Sequence, residues 1–292
     1  MSQNGSYSFS ISTLACAYQH GEVVLVVDRL ELPPAGLVFV IGPSGIGKST
    51  LLETLALMNN TIRNPLEAKI AFRPGDGSRE IHFAKVWSDT EDYRAALRRQ
   101  HFSFLFQQTN LMPHFTAGEN MCVAQLIQGI PFDQAKARVI EMMGRLGLDA
   151  SLFDRKTSEL SGGQRQRIAF VRAITGQFSI LFGDEPTGNL DSASARRLMS
   201  IVREQMSAQQ GRAAIIVSHD LALAAQFADV IVPIVARTAD ESRVARQGYI
   251  HQDVVLTRTS NGWLDGKGHA VTDIDACLID YVHRDASVEF ML

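Results

Sequence analysis

Cysteine is sparse in this chain, and its placement excludes more than its number does. Only Cys16, Cys122 and Cys277 occur, with no Cys-x-x-Cys pair, so neither a disulfide framework nor a zinc ribbon is expected. A reduced, cytosolic setting fits that usage. No run reaches the roughly 18 apolar residues that a membrane-spanning helix needs. The longest apolar region, 215–236, is broken by His219, Asp220 and Asp229. The first ten residues are polar and lack the charged-then-apolar plan of a secretion signal. A surplus of positive charge is also missing: 28 Lys and Arg stand against 31 Asp and Glu, so a broad nucleic-acid-binding surface is not expected. Internal repeats and low-complexity segments are absent as well.

What is present reads as an α/β protein. β-formers fill segments 7–18, 23–32 and 37–41, punctuated by Gly21-Glu22 and Pro33-Pro34-Ala35-Gly36. Residues 49–58 contain no Gly or Pro and predict a helix. Segments 68–72 and 80–83 around Pro74-Gly75-Asp76-Gly77 predict a hairpin, and 103–106 a short buried strand. From 109 to about 175 helical periodicity takes over, at 119–127, 132–146 and 164–174, which predicts a helical unit inserted into the core. The core resumes at 178–182 and 213–217, apolar runs of the kind found in parallel strands covered on both faces. Two further strands are expected in 230–250 around a polar Arg237–Arg246 loop. In the tail, 254–258 and 263–264 flank Ser260-Asn261-Gly262 as a hairpin. Residues 272–283 read as a helix opened by Thr272, with Asp275 in capping-box spacing.

Several groups carry chemistry. Gly42-Pro43-Ser44-Gly45-Ile46-Gly47-Lys48-Ser49-Thr50 satisfies G-x-x-x-x-G-K-[ST] and lies between an expected strand and an expected helix. In that setting backbone N–H groups converge on phosphates, Lys48 faces the β/γ oxygens, and Ser49 offers a hydroxyl to Mg²⁺. Asp184 and Glu185 end an apolar run, and a carboxylate at the carboxyl end of a parallel strand points into a ligand crevice. Asp184 suits the metal shell, and Glu185 suits polarising a water; a solvated turn is the plain alternative. His219 follows the strand at 213–217 and is either a γ-phosphate sensor or a structural histidine. Gln107 could reach the metal or the attacking water through its amide. Tyr18 either stacks on a base or caps a strand. Leu160-Ser161-Gly162-Gly163-Gln164 precedes a helical stretch and sets a second group of oriented N–H donors, hence a second anion site.

The order of these features resembles the ATP-binding-cassette (ABC) ATPases over roughly residues 7–250. Residues 42–50 are similar to the Walker A loop, and Gln107 in Phe106-Gln107-Gln108 to the Q-loop. Leu160–Gln164, continued by Arg165-Gln166-Arg167, is similar to the LSGGQ signature. Asp184-Glu185 resembles Walker B with its glutamate, Asn189-Leu190-Asp191 the D-loop, His219 the switch histidine, and Tyr18 the A-loop aromatic. The wording Glu185-Pro186-Thr187-Gly188-Asn189-Leu190-Asp191, with Asn110-Leu111-Met112-Pro113 and Glu119-Asn120, is similar to ATPases of lipoprotein-releasing, macrolide-exporting and cell-division machines. The segment between Met58 and Gln107 departs from that group, and the tail beyond 250 resembles nothing placed.

The resemblance implies a P-loop core with an antiparallel β subdomain and a helical subdomain at 109–175. It implies one ATPase unit over 1–250, with 251–292 an extension of unknown role. It implies ATP and Mg²⁺ as cofactors. Ser49, Gln107 and Asp184 would attend the metal; Lys48, Gln107, Glu185 and His219 would act in hydrolysis. Tyr18, residues 42–50, Ser161, Gly162, Gly163, Gln164 and Asp191 would contact ATP. It further implies a dimer, more readily of identical chains, in which each signature faces the neighbour's ATP. A membrane permease would dock near 107–121, where Leu111, Met112 and Phe115 read equally as docking or core residues. The protein would sit at the inner face of the membrane, without nucleic acid. The runner-up is a regulatory or non-transport ABC ATPase acting on a protein or nucleic-acid partner.

Overall fold

The computed structural model describes residues 7–18, 21–208, 211–238 and 246–283. The expectations for the first six residues and for most of the Arg237–Arg246 loop lie outside the described residues. The strands are β1 (Phe9–Cys16), β2 (Leu25–Leu32), β3 (Gly36–Ile41), β4 (Lys69–Phe72), β5 (Ile81–His82), β6 (Phe102–Leu105), β7 (Ile180–Asp184) and β8 (Ala213–Val217). They continue as β9 (Val230–Pro233), β10 (Val235–Thr238), β11 (Arg246–Ile250), β12 (Leu256–Thr259), β13 (Gly262–Leu264) and β14 (Ala270–Val271). The helices are α1 (Lys48–Leu55), α2 (Phe83–Ser88), α3 (Glu91–His101), α4 (Ala117–Ile127), α5 (Phe132–Arg145), α6 (Gly162–Ile174), α7 (Ser192–Ala208), α8 (Leu221–Phe227) and α9 (Ile274–His283).

Two mixed sheets pack face to face. The larger runs β14-β13-β12-β9-β3-β8-β7-β6, and its β9, β3, β8, β7 and β6 are parallel. The smaller runs β10-β11-β2-β1-β4-β5 and is antiparallel except where β11 joins β2. The period-two rule explains why β3 is apolar throughout. Its Val38 and Val40 face the small sheet, while Leu37, Phe39 and Ile41 face the helices, and all five are buried. Phe9, Phe72, Phe102 and Phe182 fasten the two sheets together, with ring centroids 4.9 Å apart for Phe9–Phe72, 5.1 Å for Phe72–Phe102 and 5.3 Å for Phe102–Phe182.

Residues 109–175 hold α4, α5 and α6 and no named strand. Their entry is fixed by a capping box, in which Thr116 accepts from the N–H of Glu119 while Glu119 accepts from that of Thr116. Gly118 lets this turn press on Phe153, whose carbonyl accepts its N–H at 2.7 Å. A Cβ there would meet the Phe153 ring at 2.3–2.5 Å. Gly118→Ala is therefore expected to cost about 1–3 kcal/mol by overpacking, read as a lowered midpoint in urea with unchanged slope. An unchanged midpoint would show that the ring moves aside freely.

The structure corrects three local expectations and adds two helices in 83–101 where none was expected. Phe83 starts α2 instead of ending a strand, because only Ile81 and His82 pair with β4. Segment 83–101 is helical, and α3 carries its own signals: Thr90 accepts from the N–H of Tyr93, Glu91 and Asp92 lie in the first turn, and Arg98, Arg99 and His101 in the last. Residues 230–250 form three strands, since Ile234 breaks β9 from β10 and shifts the chain from one sheet to the other. The final helix is opened by Asp273, not Thr272. Asp273 accepts from the N–H of Ala276 at 3.0 Å, and the strand ending at Val271 leaves Thr272 in the intervening bend. The tail hairpin β12–β13 forms as expected and extends the large sheet, because β12 pairs with β9. Helix α9 then packs on the core through buried Leu278. No described helix is long and apolar enough to cross a membrane.

Candidate active site

The parallel strands aim their carboxyl ends at one edge of the large sheet, the edge where open α/β sheets bind ligands. There β3 turns into α1 through residues 42–47. Gly47 has φ 104°, a conformation side chains resist, and Gly42 lies where a Cβ would meet the Ile234 carbonyl at 2.8 Å. Buried Ile46 anchors the loop, while Pro43 is half-buried and Ser44 and Gly45 form its exposed tip. Lys48 arches back, with Nζ donating to the carbonyls of Gly42 at 2.9 Å and Pro43 at 2.8 Å. Burial pulls the ammonium's pKa down, and Glu185 and Asp184 oppose that pull.

The next turns of α1 organise two neighbours. Thr50 is buried and donates to the Tyr18 hydroxyl at 3.2 Å, and Tyr18 donates to Glu53 at 3.1 Å. The tyrosine thus stands beside the loop with its ring 44% exposed, positioned to cover a planar ligand. Ser49 donates to Oδ1 of Asp184 at 3.2 Å, joining α1 to the end of β7. Burial raises the Asp184 pKa, while the Ser49 hydroxyl works against it. A hydroxyl and one carboxylate this close fit Mg²⁺, a hard cation that keeps waters and is completed by phosphate oxygens. Among the described residues no group of three His, Cys, Asp or Glu could form a protein-only cage.

Glu185 has φ 47°, a strained backbone for a non-glycine residue, and its N–H is pinned to the Val217 carbonyl at 3.0 Å. The strain turns its carboxylate out of line with β7. Oε1 lies 2.5 Å from Nε2 of His219, and Oε2 accepts from the Gln107 amide at 3.5 Å. His219 is held in place on both sides: Ser218 is buried and accepts from the N–H of Asp220, which caps α8. Thus Gln107, Glu185 and His219 meet from the ends of three strands, beside Lys48, Ser49 and Asp184.

Residues 161–164 stand elsewhere. Ser161 caps α6 and accepts from the N–H of Gln164 at 3.3 Å, while Gln164 accepts from that of Ser161 at 2.9 Å. Ser161 and Gly162 are exposed, and Cβ positions on Gly162 and Gly163 meet nothing closer than 3.8 Å. No hydrogen bond or ion pair among the described residues joins 160–164 to 42–50. Asp191 caps α7, accepting from the N–H groups of Ala193 and Ser194 and from the Ser194 hydroxyl, which hold its pKa below the usual range.

The roles of three supporting residues, two of them inside motifs quoted above, are not readable from the sequence because their partners are backbone groups. Gln166 of α6 donates to the Pro186 carbonyl at 3.0 Å, next to Glu185. Arg172 of α6 donates to the carbonyls of Thr109 and Asn110, both at 2.9 Å, just beyond Gln107. Asn120, fully buried, exchanges hydrogen bonds with both the N–H and the carbonyl of Met112 and shapes the loop that follows. In that loop Leu111 packs on the helical core and Met112 is half-buried, while Phe115 is 39% exposed.

Comparison with known proteins places this arrangement. The ABC transporter family profile matches residues 27–188. The lipoprotein-releasing system ATP-binding protein LolD 1 of Rhodospirillum rubrum is 35% identical over 71% of this chain and 85% of its own length. The macrolide export ATP-binding/permease protein MacB of Photorhabdus laumondii is 36% identical over 74% of this chain. This chain spans only 31% of that relative's length. A solved dimeric bacterial ABC transporter cassette superposes with a TM-score of 0.64 at 26% identity, covering 77% of this chain and 93% of that one. The same cassette has been solved in a post-hydrolysis state bound to ADP and Pi, and it superposes at 0.63. The chain belongs to the ABC transporter family.

Proposed function

We propose that this chain is the ATP-hydrolysing subunit of a transporter, working as a dimer that closes on two ATP and drives a separate membrane permease. The observation that carries the reading is the convergence of Gln107, Glu185 and His219 beside Lys48, while Ser161 and Gly162 stand exposed at the start of α6 in another part of the chain. One phosphate site with complete chemistry and one exposed anion site without it form a pair only when two chains meet head to tail.

In this reading Tyr18 covers the base, and residues 42–50 and Lys48 hold the phosphates. Ser49 and Asp184 would hold Mg²⁺, with Gln107 near its water shell, and the ion would neutralise charge on the β and γ oxygens. Glu185 accepts the proton of the attacking water, and His219 and Gln107 fix the direction of its carboxylate. Ser161, Gly162, Gly163 and Gln164 grip the γ-phosphate from the neighbouring chain, with Asp191 close to the shared seam. Loss of that phosphate removes their contacts and opens the dimer. The LolD relative, most of whose length this chain spans, is named an ATP-binding protein of a lipoprotein-releasing system. That name supports an ATP-binding role in a release or export system, with cargo of the envelope kind; identical subunits, a separate permease and a peripheral place on the membrane belong to the same proposal.

The test is the molar mass of the purified chain with Mg²⁺ and a non-hydrolysable ATP analogue, measured by light scattering. The parent chain should double in mass. Gly162→Asp should bind the analogue and stay monomeric. A Cβ there meets nothing within 4 Å, and an acid in the first turn suits the helix, so the fold is kept while the γ-phosphate is repelled. A Gly162→Asp chain that still doubles would overturn the composite site.

A further inference from the structure

A cavity of about 660 Å³ opens at the opposite edge of the large sheet, by the amino ends of β7 and β8. One wall is a face of α5 bearing Arg138, Glu141 and Arg145. The other is the entry to β7 and β8 at Phe178, Ser179 and Arg212, with the Gly75-Asp76 turn beside it. That turn is pressed onto the β8 entry: a Cβ on Gly75 would lie 1.7 Å from the Gly211 carbonyl. The cavity therefore straddles the joint between the helical segment and the sheets, far along the fold from Lys48 and Glu185.

Its distinctive feature is Arg212. Burial lowers the pKa of three guanidinium groups, those of Arg172, Arg212 and Arg258. Arg172 donates to the carbonyls of Thr109 and Asn110, and Arg258 to those of Ala225 and Ala228. Arg212 is only 8% exposed, yet among the described residues its guanidinium has neither a hydrogen-bond acceptor nor a carboxylate. It lies 4.3 Å over the Phe178 ring. Its nitrogens are not sealed in the core and open onto the cavity, so a charge largely shielded from bulk water has only a ring face and the cavity to compensate it. The other charges around the cavity are already served. Arg145 pairs with Glu204, Asp76 accepts from the N–H of Ser78, and Arg138 and Glu141 are exposed to water.

We infer that this cavity is a second ligand site, which takes an oxyanion-bearing small molecule with its phosphate or carboxylate on Arg212 and Arg138. The buried guanidinium supplies the forked donor geometry that such anions fit, and Arg138 of α5 closes on the same group from across the joint. The remaining volume holds an organic body larger than the anion itself, with Glu141 available to accept from its hydroxyl or amine. A ligand here links α5 to the entries of β7 and β8. Those entries lie at the opposite ends of the strands from Asp184 and Val217, so occupancy bears on how the helical segment sits against the core.

The experiment titrates inorganic phosphate, and separately acetate, into the full chain saturated with ADP, which occupies the loop at 42–50. Heat of binding and amide shifts of Gly176 and Gly211 are followed. Binding of either anion with shifts at both glycines is expected. Arg212→Gln should abolish it, and Arg138→Gln should weaken it about three- to tenfold as one charge-assisted contact is lost. Arg138 is exposed and makes no ion pair among the described residues, so Arg138→Gln should melt like the parent chain; it decides the matter if Arg212→Gln does not fold. Absence of binding by both anions, or binding that survives Arg138→Gln unchanged, would overturn the site.

Discussion

Glu185→Gln is expected to bind ATP within about twofold of the parent chain and to hydrolyse it about 10²–10⁴ times more slowly, the loss that follows removal of a general base. The substitution separates two roles that the geometry leaves entangled. Glu185 is both the candidate proton acceptor and the residue that fixes His219, 2.5 Å from its Oε1. A glutamine keeps a carbonyl oxygen that accepts from His219 Nε2 and keeps the side-chain length; it removes the charge and basicity, and its NH2 replaces the oxygen that accepts the long 3.5 Å hydrogen bond from Gln107. If Glu185 merely positioned His219, the variant would turn over at close to the parent rate. The same substitution also removes one of the two carboxylates facing Lys48, which lets burial lower the ammonium's pKa further. Equilibrium titration with a fluorescent nucleotide at neutral pH separates that effect on binding from single-turnover hydrolysis. A rate within about threefold of the parent would remove Glu185 from the chemistry.

How much of this was legible in the sequence depended on whether the cause was local. The loop at 42–50 was readable because glycine spacing and a following helix form one contiguous device. Segments 213–217 and 178–182 were readable because strands covered on both faces must be apolar throughout. Helix α3 was equally local, with a Thr90 cap and charges sorted along the dipole, but its charged surface hides the apolar stripe, and only Leu97 and His101 are buried. Helix α7 carries an equally local stripe in Ala195, Leu198, Met199, Val202 and Met206, directly after the Asp191 cap. The place of the tail was not legible at all. Its hairpin was evident from Asn261-Gly262, but the pairing of Leu256 with Ile231 depends on which sheet edge is open, and that is a property of the assembled fold. The site divides in the same way. Lys48, Asp184 and Glu185 announce themselves by type and position. The contacts of Gln166 and Arg172, whose targets are carbonyls remote in sequence, do not.

The least visible of these supports is Gly248, and replacing it with alanine is expected to cut kcat/KM for ATP by about 10²-fold, the scale on which a 1 Å misplacement acts. Gly248 lies in β11, its N–H on the Val24 carbonyl at 2.8 Å, and it passes directly beneath the phosphate loop. A Cβ at this position would lie 2.1 Å from the Ile46 carbonyl, 2.9 Å from Ile234 Cγ2 and 3.1 Å from Leu25 Cδ1. Side chains can yield a few tenths of an ångström; the first obstacle is backbone, and it belongs to the residue between Gly45 and Gly47. The methyl group therefore moves the loop or pushes β11 away from β2, and either change spoils the convergence of N–H groups on the phosphates. Overpacking should also cost about 1–3 kcal/mol of stability. Gly144→Ala is the control. It sits in α5 with nothing within 4 Å of an added Cβ and no positive φ, so the same methyl group should stabilise by about 0.5–1 kcal/mol and leave kinetics alone. If Gly248→Ala loses stability but keeps kcat/KM, the strand braces the sheet and not the loop, because a displaced Ile46 carbonyl cannot leave phosphate binding untouched.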